Sequence, residues 1–179
     1  YDAGNTQLQT VDTWNADGKL LSSAAYEIGI DGQSRQMGTT DILTGNTTTF
    51  VYGSNNQPQT SGTRNAQGTL LYSTVYETGI DGQSRQRETT DALTGNVTTF
   101  AYGLSNNQPQ TSQTKSAQGV LLSTALYEIG VDGQARQSQS TDALTNNVTT
   151  FTYDAGNQVQ ASQTANSQGT VLSRGVYEI

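Results

Sequence analysis

The sequence predicts an all-β fold, tandem antiparallel β-hairpin repeats of about 25 residues, paired into units of 50–51 residues that form a spiralling or elongated sheet. Three observations predict it. Tyrosines fall at Tyr1, Tyr26, Tyr52, Tyr76, Tyr102, Tyr127, Tyr153 and Tyr177, a spacing of 24 to 26 throughout. Turn words such as "IDG", "LTGN", "SNNQP" and "NAQG" recur about every twelve residues. Between them lie short runs rich in Thr, Val, Leu, Phe and Tyr, "VTTFAY" and "TLLYSTVY" among them, with no sustained helical period.

The elements follow in order. Residues 1–51, 52–101 and 102–152 are three full repeat units, and 153–179 is a partial fourth, together one array. The first half of each unit reads Y-x-x-x-N-x-Q-x-Q-T…G-x-L-L-S…Y. The second reads Y-E-x-G-x-D-G-Q-x-R-Q…T-D-x-L-T-x-N-x-T-T-F-x-Y. Each half is a tyrosine, a turn, a Gln/Arg-rich strand, a second turn and a β-prone strand into the next tyrosine. Asp31-Gly32, Asp81-Gly82 and Asp132-Gly133 predict two-residue hairpin turns. Glu77 and Arg85 stand four residues either side of Asp81 and should pair across the strands. Phe50 with Tyr52, Phe100 with Tyr102, and Phe151 with Tyr153 are two apart, so each pair shares a strand face. Stacked in register, the tyrosines form a file with a ring on every second strand, roughly 9.5 Å apart. If buried, a ring such as Tyr76 would cost roughly 3–5 kcal/mol to truncate to Ala. "QPQTS" from Gln57 and from Gln108 predicts Gln and Thr ladders along the sheet, each amide bonding its neighbour. Pro58 and Pro109 cannot donate to a ladder and should open a strand or lie on an edge.

Composition narrows the function classes. Only 32% of the 179 residues are hydrophobic and 13% charged. Backbone ladders and side-chain hydrogen bonds must therefore carry a fold with a thin core. A net charge of −7 disfavours nucleic acid and anionic membranes, and no apolar run approaches a membrane span. There is no cysteine or histidine, which removes disulfides, thiolate metal sites and the commonest general base. No cofactor is expected. The chain begins at Tyr1 without methionine and reads as a piece of something longer.

With "YDAGN" at Tyr1 and Tyr153, and "TDALTGNVTTFAYG" from Thr90, the half-units resemble the YD repeats of Rhs proteins, wall-associated bacterial proteins, toxin-complex shells and teneurins. The resemblance runs the length of the chain. In place of Asp after the tyrosine stand Gly53 and Gly103, or Glu27, Glu77, Glu128 and Glu178. It implies a spiralling antiparallel sheet, a hollow shell or an open stalk, on a bacterial extracellular or cell-surface protein.

Chemistry is weighed against this scaffold. Glu77 and Asp81 could serve as paired glycosidase carboxylates, but a turn and a cross-strand ion pair explain them more simply, and three adjacent copies of one active site would be unusual. Asp41, Asp91 and Asp142 with Asn46, Asn96 and Asn147 could offer calcium oxygen ligands, yet their spacing fits an Asp that opens a turn. Asn46, Asn96 and Asn147 match the N-glycosylation pattern. The tyrosine file could stack on sugars, but rings at a fixed strand position are more often ladders. Trp14 and Tyr72 break the repeat and are the candidates for individual contacts. The reading is a non-catalytic structural module that builds a stiff β-rich filament, stalk or shell wall. Its partners are copies of itself or further repeats met by end-to-end strand pairing, since the chain ends at "YEI" before the turn that earlier copies make. The alternative is a multivalent carbohydrate-binding module with one weak glycan site per repeat.

Overall fold

A computed structural model describes residues 9–104 and 107–177. All of its regular structure is antiparallel strand: β1 (Thr10–Trp14), β2 (Leu20–Ile28), β3 (Ser34–Asp41), β4 (Thr47–Tyr52), β5 (Pro58–Arg64), β6 (Leu70–Thr78), β7 (Ser84–Asp91), β8 (Val97–Tyr102), β9 (Pro109–Lys115), β10 (Leu121–Ile129), β11 (Ala135–Asp142), β12 (Val148–Tyr153), β13 (Val159–Ala165) and β14 (Val171–Val176). Two compact units divide the chain, residues 1–93 with β1–β7 and residues 94–179 with β8–β14. Within each, every strand pairs with the strands before and after it in chain order. No helix long and apolar enough to cross a membrane occurs among the described residues.

The loops show why these residues turn where they do. The Asp31-Gly32 loop has three residues rather than two: Gly29 N–H donates to Gln33 O at 2.8 Å, and Gly32 N–H to Gly29 O at 3.0 Å. Gly32 sits at φ 77°, so a type I turn is closed by a left-handed glycine, whose twist suits the flanking strands. The loops at Gly82 and Gly133 repeat it with the same φ of 77°. The loop after β3 has four residues. Asp41 opens it by accepting the N–H groups of Leu43 and Thr44 at 2.8 and 2.9 Å. Pro58 and Pro109 each open a strand, as their missing N–H requires.

The tyrosines mark a structural irregularity that period-2 reading passes over. Tyr26, Tyr52, Tyr76, Tyr102, Tyr127 and Tyr153 each stand next to a register shift in the pairing with the following strand. Ala25 faces Gly38 while Tyr26 faces Gln36, so Met37 is the extra residue; Arg87 and Ser138 take its place in the sister strands. A bulged residue has no residue opposite it in the ladder, although the Ser138 hydroxyl still donates to Leu126 O at 3.3 Å. That is why one position holds Met, Arg and Ser in otherwise near-identical words.

The thin core is thinner than composition suggests. Among the described residues no hydrophobic side chain is buried. Alternation is visible, since Phe50 and Tyr52 are half-buried where Val51 is exposed. Their rings lie 6.5 Å apart, as two residues on one face should. Lateral cohesion comes from the ladders and from threonine hydroxyls facing across strands: Thr48 to Thr63 at 2.8 Å, Thr74 to Thr89 at 3.2 Å, Thr98 to Thr114 at 2.8 Å and Thr149 to Thr164 at 2.9 Å. One amide-to-amide bond of the expected kind is present, Gln108 Nε2 donating to Gln134 Oε1 at 3.5 Å, but glutamine also acts on the backbone. Gln57 Oε1 accepts the N–H of Ser84 at 3.0 Å, and Gln108 Oε1 that of Ala135 at 3.1 Å. These amides tie one hairpin loop to the start of a strand in the next hairpin.

Candidate functional site

The repeated phrase that begins with Tyr26 converges on one cluster at one end of the strands. Register sets Glu27 opposite Arg35. Arg35 Nε donates to Glu27 Oε1 at 2.8 Å, and its Nη2 lies 2.8 Å from the same oxygen. Nη1 donates to Asn56 Oδ1 at 2.6 Å, and the guanidinium carbon lies 4.3 Å from the centre of the Tyr52 ring. A guanidinium on a ring face, held by a carboxylate and an amide, is fixed on three sides. Tyr52 in turn donates its hydroxyl to Gln36 O at 2.5 Å. Burial pushes the Tyr52 phenol above its ordinary value against the opposing pull of Arg35, while Glu27, Tyr26 and Tyr76 nearby push it further up.

The second unit repeats the cluster. Arg136 meets Glu128 at 2.8 and 2.7 Å, donates to Asn157 Oδ1, and lies 4.3 Å from the Tyr153 ring centre; the Tyr153 hydroxyl donates to Gln137 O at 2.5 Å. Burial raises the Tyr153 phenol as well, again opposed by its arginine. Arg85 and Glu77 meet at 2.8 and 2.7 Å.

Asn56 holds φ 60° and Asn157 φ 65°, a left-handed conformation that Asn tolerates better than most residues. Their amides occupy space left by a glycine two strands away. A Cβ on Gly29 would stand 2.3 Å from Asn56 Oδ1, and one on Gly130 would stand 2.5 Å from Asn157 Nδ2. Neither glycine has a positive φ. The glycine of "YEIG" is therefore a vacancy for the next hairpin's asparagine.

Five of the described tyrosines reach back to the preceding strand, Tyr52 and Tyr153 to backbone carbonyls and three more to serines. Tyr76, Tyr127 and Tyr177 place their hydroxyls 3.2, 3.2 and 3.1 Å from Ser61, Ser112 and Ser162 on the preceding strand. Tyr1 lies outside the described residues. Tyr102 and Phe100 end β8, and Phe151 lies in β12 opposite Ser162. Tyr76 and Tyr127 are half-buried and Tyr177 is exposed, which lowers the cost expected of Tyr76→Ala.

The acidic residues serve the turns. Asp31, Asp81 and Asp132 each accept the N–H two residues ahead at 3.0 Å. Asp31 is held below its ordinary value by that bond to Gln33 first and by the Asn56 side chain next. Backbone N–H groups, that of Thr44 and that of Thr145 first, depress Asp41 and Asp142 in the same way. No group of three or more potential metal ligands lies together among the described residues. Asn46, Asn96 and Asn147 end the loops before β4, β8 and β12 and are half-buried. Two shallow troughs, about 390 and about 270 Å³, lie between strands and are lined mainly by Thr, Ser, Ala and Gly, with Arg174 the charged group among them. Trp14 and Tyr72 are 56% and 49% exposed.

The sequence reading located the Glu77–Arg85 pair and the turn aspartates, gave Gln57 and Gln108 a ladder role, and missed Asn56, Asn157 and the glycines at 29 and 130. Their signal was recurrence at fixed positions in every unit, which does not say what each touches.

No family model matches the chain, and no curated protein matches it. Among solved structures, a TcdB2-TccC3 complex aligns with 94% of this chain and 10% of its own, at 15% identity and a TM-score of 0.47. The Photorhabdus luminescens Tc holotoxin pore gives the same identity, coverage and score of 0.47. A porin-like protein from Bacteroides uniformis aligns over 94% of this chain and 89% of its own, at 13% identity and a TM-score of 0.48. The chain thus spans about a tenth of the length of the toxin-complex chains, 10% in each case.

Proposed function

We propose that the chain is a non-catalytic structural repeat module of a secreted or cell-surface protein, bacterial in origin. Its hairpins stack into a stiff β-rich wall, stalk or filament, and its outermost strands pair with further repeats or with copies of the chain. The observation that carries this reading is where the repeated polar residues are spent. Glu27, Arg35, Asn56 and Tyr52, and again Glu128, Arg136, Asn157 and Tyr153, bind one hairpin to the next. Repeated residues that fasten neighbours give the nearest-neighbour energetics of a repeat array, in which each added unit stabilises the last. The YD-like wording and the low charge agree with a wall more than with a substrate-binding cleft. Electron microscopy of the native particle tests it. Fibres, elongated stalks or closed shells are the expected images; a small compact monomer that turns over a glycan would contradict it.

A further inference from the structure

We propose that Asp17 is the position at which this chain isomerises on ageing: the Gly18 backbone nitrogen closes on the Asp17 side chain to a succinimide, which water opens to isoaspartate. The proposal is independent of the structural-array reading. An aspartate followed by glycine suits this reaction, since glycine has no Cβ to crowd the ring. The Gly18 nitrogen bonds to Asp17 Cγ. A carboxyl oxygen leaves with its own proton and the amide proton as one water. Hydrolysis of the ring returns that water. Opening at one carbonyl restores aspartate; opening at the other leaves the main chain running through the side chain.

Four Asp-Gly pairs occur, Asp17-Gly18, Asp31-Gly32, Asp81-Gly82 and Asp132-Gly133. Their backbones do not separate them. In each three-residue loop the opening residue, Asn15, Gly29, Gly79 or Gly130, donates its N–H to the O of Lys19, Gln33, Gln83 or Gln134 at 2.9, 2.8, 2.8 and 2.8 Å. The Asp-Gly glycines donate to the O of the same opening residues at 3.1, 3.0, 3.1 and 3.0 Å. Their φ is 76° at Gly18 and 77° at the other three. The attacking nitrogen is tethered alike in all four.

The carboxylates differ. Asp31, Asp81 and Asp132 each accept, at Oδ1, the N–H of the glutamine two residues ahead at 3.0 Å. In the first loop that N–H belongs to Lys19. Asn15 Oδ1 takes it at 2.8 Å, along with the N–H of Asp17 at 3.0 Å. Asn15 stands where the other three loops open with glycine. Asp17 is exposed, and its carboxylate joins no hydrogen bond or ion pair among the described residues. A pinned carboxylate must break its bond before Cγ can turn to the next nitrogen. The accepted N–H also favours the ionised form, whose oxygen is the poorer leaving group. Asp31 shows this effect, held below its ordinary value first by the N–H of Gln33. The loops at the same place in the later repeats are capped as Asn15 caps its own, by Asn65, Ser116 and Asn166. There Gln67, Gln118 and Gln168 precede the glycine, and a glutamine would have to close a larger ring. Among the described loops, 15–19 alone joins that cap to an Asp-Gly pair.

The test holds the full chain, folded, in warm heavy-oxygen water at neutral pH and maps its peptides by mass spectrometry. Each ring opening leaves one heavy oxygen at the aspartate that formed it, and electron-transfer fragmentation separates isoaspartate from aspartate. Label should enter Asp17 about tenfold faster than Asp31, Asp81 or Asp132, the weight of one hydrogen bond to a charged group. In urea the four rates should converge. Asn15→Gly frees the Lys19 N–H for Asp17 and should lower its rate to that of the other three. Asp17→Gln should remove isoaspartate from that peptide. Equal rates at the four sites in the folded chain overturn the proposal, as does an excess at Asp17 that persists in urea. A rate in Asn15→Gly at or above that of the unaltered chain overturns it. So does the absence of label at Asp17 over the time in which the unfolded chain labels all four sites.

Discussion

Gly29→Ala gives the sharpest view of how one hairpin holds the next. Gly29 has an ordinary φ, so the backbone accepts alanine without strain. The new Cβ would lie 2.3, 2.6 and 2.8 Å from the Oδ1, Nδ2 and Cγ atoms of Asn56, so the amide must swing away. That breaks the 2.6 Å bond from Arg35 Nη1. A hydrogen bond to a charged group contributes about 1.5–3 kcal/mol; the lower end applies because water still reaches Arg35, whose side chain is 19% exposed. Replacing glycine returns about 0.5 kcal/mol through the unfolded chain, leaving a net loss of about 1 kcal/mol. Asn56→Gly removes the same bond at similar cost while keeping the left-handed conformation free. The pair together should therefore cost about 1–1.5 kcal/mol less than the sum of the singles. Urea melts followed by circular dichroism, completed as a double-mutant cycle, measure this. The Gly130 and Asn157 pair offers an independent copy. Gly32→Ala is the control: nothing lies within 4 Å of its Cβ and φ is 77°, so its cost of about 1–2 kcal/mol is strain and should not depend on Asn56. Additive losses at Gly29 and Asn56, within about 0.5 kcal/mol, would refute the vacancy argument.

Other outcomes follow from the same contacts. Tyr52→Phe keeps the ring over Arg35 but loses the bond to Gln36 O, and should cost about 1 kcal/mol in a denaturant melt. Tyr76→Ala, half-buried, should cost about 2 kcal/mol, below the range for a fully buried ring. Asn146 holds φ 57° where Gly45 and Gly95 hold 70°, so Asn146→Gly should stabilise by up to about 1 kcal/mol. Asp31, Asp41 and Asp142 lie below the ordinary 3.8 when folded, so their contribution is complete above that pH and is lost as pH falls through the depressed values. Tyr52 and Tyr153 lie above the ordinary 10.0, so theirs is complete below that pH and is lost as pH rises through the raised values. Melting temperature against pH should be a plateau that falls at both ends, and Asp41→Asn should soften the acid limb.

Much of this was legible in the chain because it is local. Turn words every twelve residues fix the hairpins, and a glutamate and an arginine four residues either side of Asp81 must meet once that hairpin closes. What was not legible depends on how successive hairpins lie against each other. Asn56 is 27 residues beyond Gly29, and nothing in the local pattern says that its amide fills the glycine's space. Gln57 reads as a ladder residue and acts instead on the N–H of Ser84. The bulges at the tyrosines were hidden for a related reason: an extra residue such as Met37 looks like one more strand position until pairing shows it has no partner.

The central claim is that stability resides in contacts between successive hairpins, with a period of four strands. Two internal deletions test it most directly. Removing residues 52–101 joins Val51 to Tyr102 and restores the sequence of strand kinds, although 50 residues are lost. Removing residues 52–75 takes only 24 residues but joins Val51 to Tyr76 and sets strands of the wrong kinds side by side. Equilibrium urea unfolding, read by circular dichroism on both, decides. The larger deletion should keep a cooperative β-sheet transition, and the smaller should melt at lower urea or not fold. If the smaller deletion is the more stable, or if the larger leaves only coil, the four-strand array is contradicted.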